Sequence, residues 1–497
     1  MSNEICDLVD LKGIEGERVR DIYGEKAFGL RKLLGLKDSI TGYEVPQGFA
    51  VPVGFDFEHD IVRSRLIQLL AGSHGLQPIV IRSSAQKEEP GQFHSQMISV
   101  DSQQIDSGLA EIGSVFQRII EPNPSSIGVI VQMAAVGDYS ANQRAKRILP
   151  DNPSIYGLFD RGFVVDSHSI ASPDCMQISV VLGLTSRAVN IGGGPVIIDV
   201  DRKTGQLKMV LDRSDYALST LRMTLNGQRQ NRVDYFNALT KQVEFIYYYL
   251  PFGGSVVYKA GDIYADDDSI VSRSSFITDK GLLGDNGGGT DLELDSLIRV
   301  MQRIITSLDG HLIQIEGSFV GGDIWDGTIG KLCLYQLRDL ENLPIQDKQL
   351  DQVDESKIIA RTNNVMGAGK FRGKLLIIPE LNRKETFSSQ IETLRDYEWF
   401  QKGEYIILFD GNVHSEDLQS LTGLNVFCTF ELLPMQSHEM GQIRSAISKG
   451  QNKVYAAFPG QKNKILALKN KRRNRSVVLN DVVFESNGRE AQLYFGE

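Results

Sequence analysis

The run PIVIRSS at 78–84 ends in Arg82, Ser83 and Ser84, setting a guanidinium and two hydroxyls together at the carboxyl end of a strand-like segment. Such donors suit phosphate oxygens, and the glycine-containing turn after them can add backbone N–H groups to the same anion. In GEKAFGLRKLLGL at 24–36, Lys26 stands among glycines, where a cation can project towards a ligand while the backbone comes close. In IQIEGSFVGGDIWDGTIGKLCLYQLRDL at 313–340, two strands joined by a turn would bring Glu316 and Gln336 side by side. Arg338 would follow two residues on and on the same face. A carboxylate and an amide oxygen are hard ligands suited to Mg2+ beside a nucleotide's phosphates, and an arginine there could steady a transferring phosphoryl group. The plainer roles stay open: a surface lysine at a helix start for Lys26, and a structural ion pair for Arg82.

These groups need strands and helices to position them. Short β-branched runs at 78–84, 127–133, 176–184, 195–201 and 331–337 read as strands. LIRVMQRIITSL at 297–308 has apolar residues at helical spacing, with Asp291 and Asp295 as capping or first-turn acids. The mixture predicts α/β and α+β layers, and 497 residues suggest roughly three folding units. A charged stretch, RDLENLPIQDKQLDQVDESK at 338–357, is poor in large apolar residues and reads as a linker. Beyond it come a glycine-rich opening and strand at 365–379, a strand at 403–411, a short helix at 416–423 and a strand at 424–430. The expected division is one domain over 1–340, with two lobes meeting near 190, a linker at 341–360, and a small domain over 361–497.

Composition narrows the function classes. Lys plus Arg is 53 against 63 acidic residues, a formal charge of −10. That balance argues against a nucleic acid as the main partner. The basic run KNKILALKNKRRNR at 462–475 lacks interleaved aromatics and reads as a solvated hairpin tip. No stretch approaches the roughly 18 apolar residues of a membrane span, and the first residues are acidic where a signal peptide would be basic. The cysteines at 6, 175, 333 and 428 are scattered, which fits a reducing compartment. The expectation is a cytoplasmic chain with no membrane partner.

Taken in order, GEKAFGL, VPQGF, IRSSAQKEE, QFHSQ, VIVQM, IQIEG and YQLRD resemble the ATP-grasp nucleotide-binding domain of the phosphoenolpyruvate synthase and pyruvate phosphate dikinase family, over about residues 20–340. The resemblance implies that Lys26, Arg82 and Ser83 lie on ATP phosphates and that Gln132, Met133 and Ala134 form the hinge beside the adenine. It also implies that Glu316 and Gln336 hold Mg2+ and that Arg338 contacts the phosphate chain. The chain departs from the family where GLGE reads GLTS (183–186) and SFAG reads QFHS (92–95), and a glycine-rich insertion separates Glu316 from Gln336.

The region from 361 is similar to the family's small swivelling β/β/α phosphohistidine domain. Ser437-His438, with Arg444 six residues later, matches its histidine and arginine spacing. Pro434-Met435 and EMGQI at 439–443 replace its paired glycines and AAIVA. A phosphorylated imidazole remains a high-energy donor and splits one difficult transfer into two. The implied catalytic residues are therefore His438, Arg444 and Arg338. Full-length members end in a TIM barrel of about 250 residues, more than follows residue 361. The chain thus resembles reduced, dikinase-like phosphotransferases whose acceptor site lies on a separate subunit or between the domains. The implied partners are ATP, with Mg2+, and an unidentified phosphoryl acceptor. Two other readings remain. One is an ATP-grasp enzyme that activates a carboxylate or hydroxyl directly. The other is a regulatory subunit that binds ATP without turnover.

Overall fold

The computed structural model describes residues 4–57, 59–86, 95–121, 123, 125–169, 174–185, 196–212, 230–249, 263–264, 270–271, 292–309, 311–322, 329–340, 349–362, 364–379, 391–392, 394–395, 405–410, 426–429, 447, 454–458, 461, 465 and 477–496. It is a mixed α/β structure with more strand than helix and several sheets. Two compact units divide it: Met1–Ser167 with Met176–Asp339, and His168–Cys175 with Leu340–Glu497. Among the described residues no helix is long and apolar enough to cross a membrane.

The first unit opens with β1 (Cys6–Asp7), α1 (Gly16–Tyr23), α2 (Glu25–Leu36), β2 (Gly48–Val51), α3 (His59–Leu69), β3 (Leu76–Ala85), β4 (Ser95–Asp101), α4 (Ile105–Ile120) and β5 (Ile127–Met133). Its strands form one sheet in the order β1-β2-β5-β3-β4. Helix α4 buries Leu109, Ile112, Val115 and Phe116, a three- and four-residue rhythm that sets one apolar stripe towards the sheet. Val62 and Leu66 of α3 join the same core against Ile79, Ile81, Val129 and Val131. Each such side chain contributes about 1.5–3 kcal/mol through burial.

Next come α5 (Gln143–Ile148), β6 (Ile155–Tyr156), β7 (Arg161–Asp166), β8 (Cys175–Leu182), β9 (Val196–Asp201), β10 (Leu207–Asp212), β11 (Gln230–Asn237), β12 (Gln242–Tyr249), β13 (Ile263–Tyr264), β14 (Ile270–Val271), α6 (Leu292–Ser307), β15 (Ile313–Val320) and β16 (Lys331–Asp339). A six-stranded sheet runs β10-β9-β8-β7-β15-β16. Strands on both sides of residue 190 share it, so the passage from the first sheet to this one falls between Met133 and Arg161. Its strands alternate between an apolar face and a second face, also buried, that carries Asp166, Ser179, Asp199 and Glu316. Phe163, Val165, Ile178, Val180, Ile315 and Leu337 join one cluster with Leu294, Leu297, Ile298 and Met301 of α6. Asp295 lies in the first turn of α6, where the helix dipole favours an acid; Asp291 lies outside the described residues.

The second unit holds β17 (Ile358–Thr362), β18 (Asn364–Met366), β19 (Ala368–Pro379), β20 (Tyr405–Asp410), β21 (Val426–Thr429), β22 (Val454–Ala457), β23 (Val477–Asn487) and β24 (Ala491–Phe495). One eight-stranded sheet takes the order β17-β24-β23-β19-β20-β21-β22-β18. Strands β19 to β22 pair in parallel, and β23 and β24 pair antiparallel beside them. Leu375, Ile377, Ile406, Leu408, Val426 and Phe484 are buried in its core. The end of the expected linker is strand: Ile358 pairs with Tyr494 and Ala360 with Leu493, because buried Ile358, Ile359 and Ala360 suit a sheet better than a solvated connection. The expected helix at 416–423, the linker residues 341–348, Pro434 to Glu439 with Ser437 and His438, Arg444, and the basic run at 462–475 apart from Ile465 lie outside the described residues.

Candidate functional site

Two glycines let α2 settle onto the strand ends. Gly24 has φ of 85°, and a Cβ there would stand 1.9 Å from the Ser84 carbonyl oxygen. A Cβ on Gly29 would stand 1.7 Å from the Leu337 carbonyl oxygen, so α2 lies directly on the β16 backbone. Lys26 is consequently buried, not a surface lysine. Its Nζ donates to the Ser83 carbonyl at 2.8 Å and lies 3.4 Å from Ser83 Oγ, while the Ala27 N–H donates to Ser84 Oγ at 3.2 Å. Gly29→Ala should reverse the usual helix rule. Alanine favours an exposed helix by about 1 kcal/mol, but a backbone collision of this kind should cost about 3 kcal/mol. Thermal unfolding should show a lower midpoint, and an unchanged or higher one would contradict this packing.

The hairpin of β15 and β16 pairs Glu316 directly with Gln336 and Gln314 with Arg338. This is the side-by-side placement that alternation suggests. A bulge follows: Gly317 pairs with Leu334, leaving Tyr335 as the extra residue. From β3, Arg82 reaches this hairpin. Its Nη1 donates to the Tyr335 carbonyl at 2.8 Å, and its Nη2 donates to Gln336 Oε1 and lies 3.4 Å from Glu316 Oε2. Arg338 Nη2 stands 3.4 Å from the other Glu316 oxygen. The guanidinium of Arg82 also sits 5.5 Å from the Tyr335 ring centre. Arg82, Glu316 and Gln336 are all buried.

The arrangement joins Arg82, Ser83, Lys26, Glu316, Gln336 and Arg338 into one neighbourhood. Lys26 reaches it through Ser83, beside Arg82 on β3. Two arginines flank the Glu316 carboxylate, and Lys26 adds a third cation through Ser83, an excess of positive charge that favours an anion. The ion-pair role of Arg82 is realised too, since it ties β3 to β15. Two buried atoms in this group have no hydrogen-bond partner: Arg82 Nε and Gln336 Nε2. Buried donors of this kind ordinarily have a partner. The set fits Mg2+ and phosphate in kind, with one carboxylate and one amide oxygen for the cation and N–H donors left over for an anion. Among the described residues no group of three or more His, Cys, Asp or Glu could hold a metal ion.

Gln132, Met133 and Ala134, expected to form the hinge, lie at the end of β5. Gln132 Nε2 donates to the Pro46 carbonyl at 3.0 Å, the Met133 N–H to Gln47 at 2.8 Å, and the Ala134 N–H to Pro78 at 3.0 Å. Ser318, two residues from Glu316 on β15, donates to the neighbouring Ala135 carbonyl at 3.1 Å. The 132–135 segment and the hairpin therefore meet.

Four features go beyond what residue types suggest. The break from Leu332 and Leu334 to Leu337 in the apolar alternation was the available signal for the bulge at Tyr335. Thr185, in the GLTS segment, donates to the Gly317 carbonyl at 2.9 Å, and the Tyr335 hydroxyl lies 3.4 Å from the same oxygen. Burial pushes the Tyr335 phenol up, the Glu316 charge adding to it. Asp160 is fully buried and accepts from the Gly137 N–H at 2.8 Å, the Tyr139 hydroxyl at 2.8 Å and the Gly321 N–H at 3.2 Å. Burial pushes its carboxyl up while those donors oppose the shift. Arg161 pairs with Glu293, which also accepts from the Gly330 N–H at 2.7 Å. The two carboxylates thus fasten both ends of the glycine-rich stretch between β15 and β16.

No protein-family model matches the chain. No curated protein matches it either.

Proposed function

We propose that the protein is an ATP-dependent, dikinase-like phosphotransferase, with an ATP-grasp nucleotide-binding domain in its first part and a swivelling phosphohistidine domain in its second. The observation that carries this reading is the meeting of Arg82 with Glu316, Gln336 and Arg338, with Lys26 one residue's bonding away. These side chains reach from three separated stretches of sequence, and their chemistry is that of phosphate and a hard cation.

In this reading Lys26, Arg82, Ser83 and Arg338 take the phosphates, and Glu316 and Gln336 hold Mg2+. The bound cation would neutralise charge on the phosphate chain. The arginines, now paired with Glu316, would exchange that carboxylate for phosphate oxygens. An imidazole nitrogen of His438 then forms an N–P bond as the P–O bond to the departing nucleotide breaks, and the nucleotide leaves with that electron pair. Arg444 steadies the phosphate, and the phosphoryl group passes on to the acceptor. Gln132 to Ala134 would face the base. The four cysteines are free, three of them buried, and burial pushes the Cys333 thiol up to about 11; inert thiols support a reducing, cytoplasmic setting.

Calorimetry of wild-type protein with ATP, in Mg2+ and then in chelator, tests the binding half of this proposal. Micromolar or tighter binding that weakens at least about tenfold without Mg2+ is expected. No binding of Mg-ATP would remove the reading.

A further inference from the structure

The face of the six-stranded sheet turned away from α6 carries polar residues that the phosphate and metal assignments do not use. Register places Ser179 of β8 opposite Val164 of β7, Val164 opposite Glu316 of β15, and Glu316 opposite Gln336 of β16. The adjacent row on the same face runs Gln177, Asp166, Gln314 and Arg338. Ser179 is therefore two strands from Glu316, about 10 Å at normal strand spacing.

Ser179 is fully buried, and its Oγ has no hydrogen-bond partner. A buried hydroxyl left in this state destabilises the fold, and alanine would avoid that loss. Its neighbours offer both donors and acceptors. Gln314 Nε2 donates to Asp166 Oδ1 at 2.9 Å, Gln177 Nε2 lies 3.4 Å from Asp199 Oδ1, and both aspartates are buried. The charged groups bonded to these amides are carboxylates, which repel phosphate, and Arg338 stands two strands from Asp166. Planar carboxylates and amides beside a hydroxyl instead match pairs of adjacent hydroxyl groups, since each can accept from one and be approached by the next.

We propose that Ser179, with Gln177 and Asp166, forms a second subsite on this sheet face for the vicinal hydroxyls of a ligand. Two sources carry that chemistry: the ribose of a bound nucleotide and a separate polyol. The subsite rests on the phosphotransferase reading only for what occupies the Glu316 end.

Ser179→Ala in the full chain separates the outcomes. Without ligand its thermal midpoint should rise, because an unpartnered buried hydroxyl is removed. If the hydroxyls are those of ribose, Mg-ATP affinity should fall about two- to tenfold, the loss of one neutral hydrogen bond. Mg-2′,3′-dideoxy-ATP should then bind wild type and variant equally. If they belong to a separate polyol, D-glucose should give a saturable saturation-transfer NMR signal on wild type that disappears in the variant, with Mg-ATP affinity unchanged. A lower thermal midpoint would make the hydroxyl structural and overturn the proposal. So would unchanged Mg-ATP affinity together with no difference in the glucose signal. Glu316→Gln run alongside keeps the two claims apart: normal Mg-ATP binding there would defeat the metal assignment and leave the Ser179 comparisons readable.

Discussion

Glu316→Gln should change ATP affinity in opposite directions with and without Mg2+. The substitution keeps the side chain's shape and removes its charge. In Mg2+ the loss of a ligand carboxylate should weaken Mg-ATP binding by about a hundredfold, a differential of about 2.7 kcal/mol. In chelator the sign should reverse. Both Glu316 oxygens face arginines, at 3.4 Å from Arg82 and 3.4 Å from Arg338. Neutralising the carboxylate frees those guanidinium groups for phosphate and removes a repelling charge, so ATP alone should bind more tightly. Two titration series on wild type and variant suffice. A purely structural ion pair predicts the same direction in both media, through weaker folding, and that result would remove Glu316 from the metal site.

His438→Ala should abolish covalent phosphorylation while leaving Mg-ATP affinity within about twofold. Removing a nucleophile from a group of residues that act together typically costs on the order of a thousandfold or more in rate. An N–P bond on imidazole is acid-labile and alkali-stable, because protonation of the phosphoramidate makes the ring a good leaving group. Wild-type protein incubated with Mg-ATP should therefore lose its label at low pH and keep it at high pH. Equal acceptor turnover in the variant would favour direct activation of an acceptor by the nucleotide domain. Label and turnover both absent from wild type would favour a binding subunit.

How far the residues alone reveal this arrangement depends on whether the relevant pattern is local. Glu316 and Gln336 are legible as a pair because alternation at period two identifies both strands and sets both side chains on one face. The runs at 78–84 and 127–133 are strands because they are rich in β-branched residues and buried on both faces. Lys26 misleads because its burial depends on glycines that let α2 rest on the backbone at Ser84 and Leu337, far away in sequence. Asp160 is invisible locally: its partners stand 21, 23 and 161 residues away, and none marks it out by type. The start of the strand, Ile358 to Ala360, reads as linker in sequence because its partner, β24, lies at the other end of the second unit's sequence. Charge and low apolar content describe the segment before it, and pairing decides where that segment ends.

The measurement closest to the central claim is the intact mass of the wild-type protein after incubation with Mg2+ and ATP labelled separately at the β and γ positions. One phosphoryl group should be added, and proteolysis at alkaline pH should place it on the peptide containing His438. Acid treatment should return the protein to its starting mass, and the position of the label should report which phosphate was transferred. A protein that binds Mg-ATP, turns over its acceptor and never carries a phosphoryl group on that peptide would contradict the phosphohistidine mechanism.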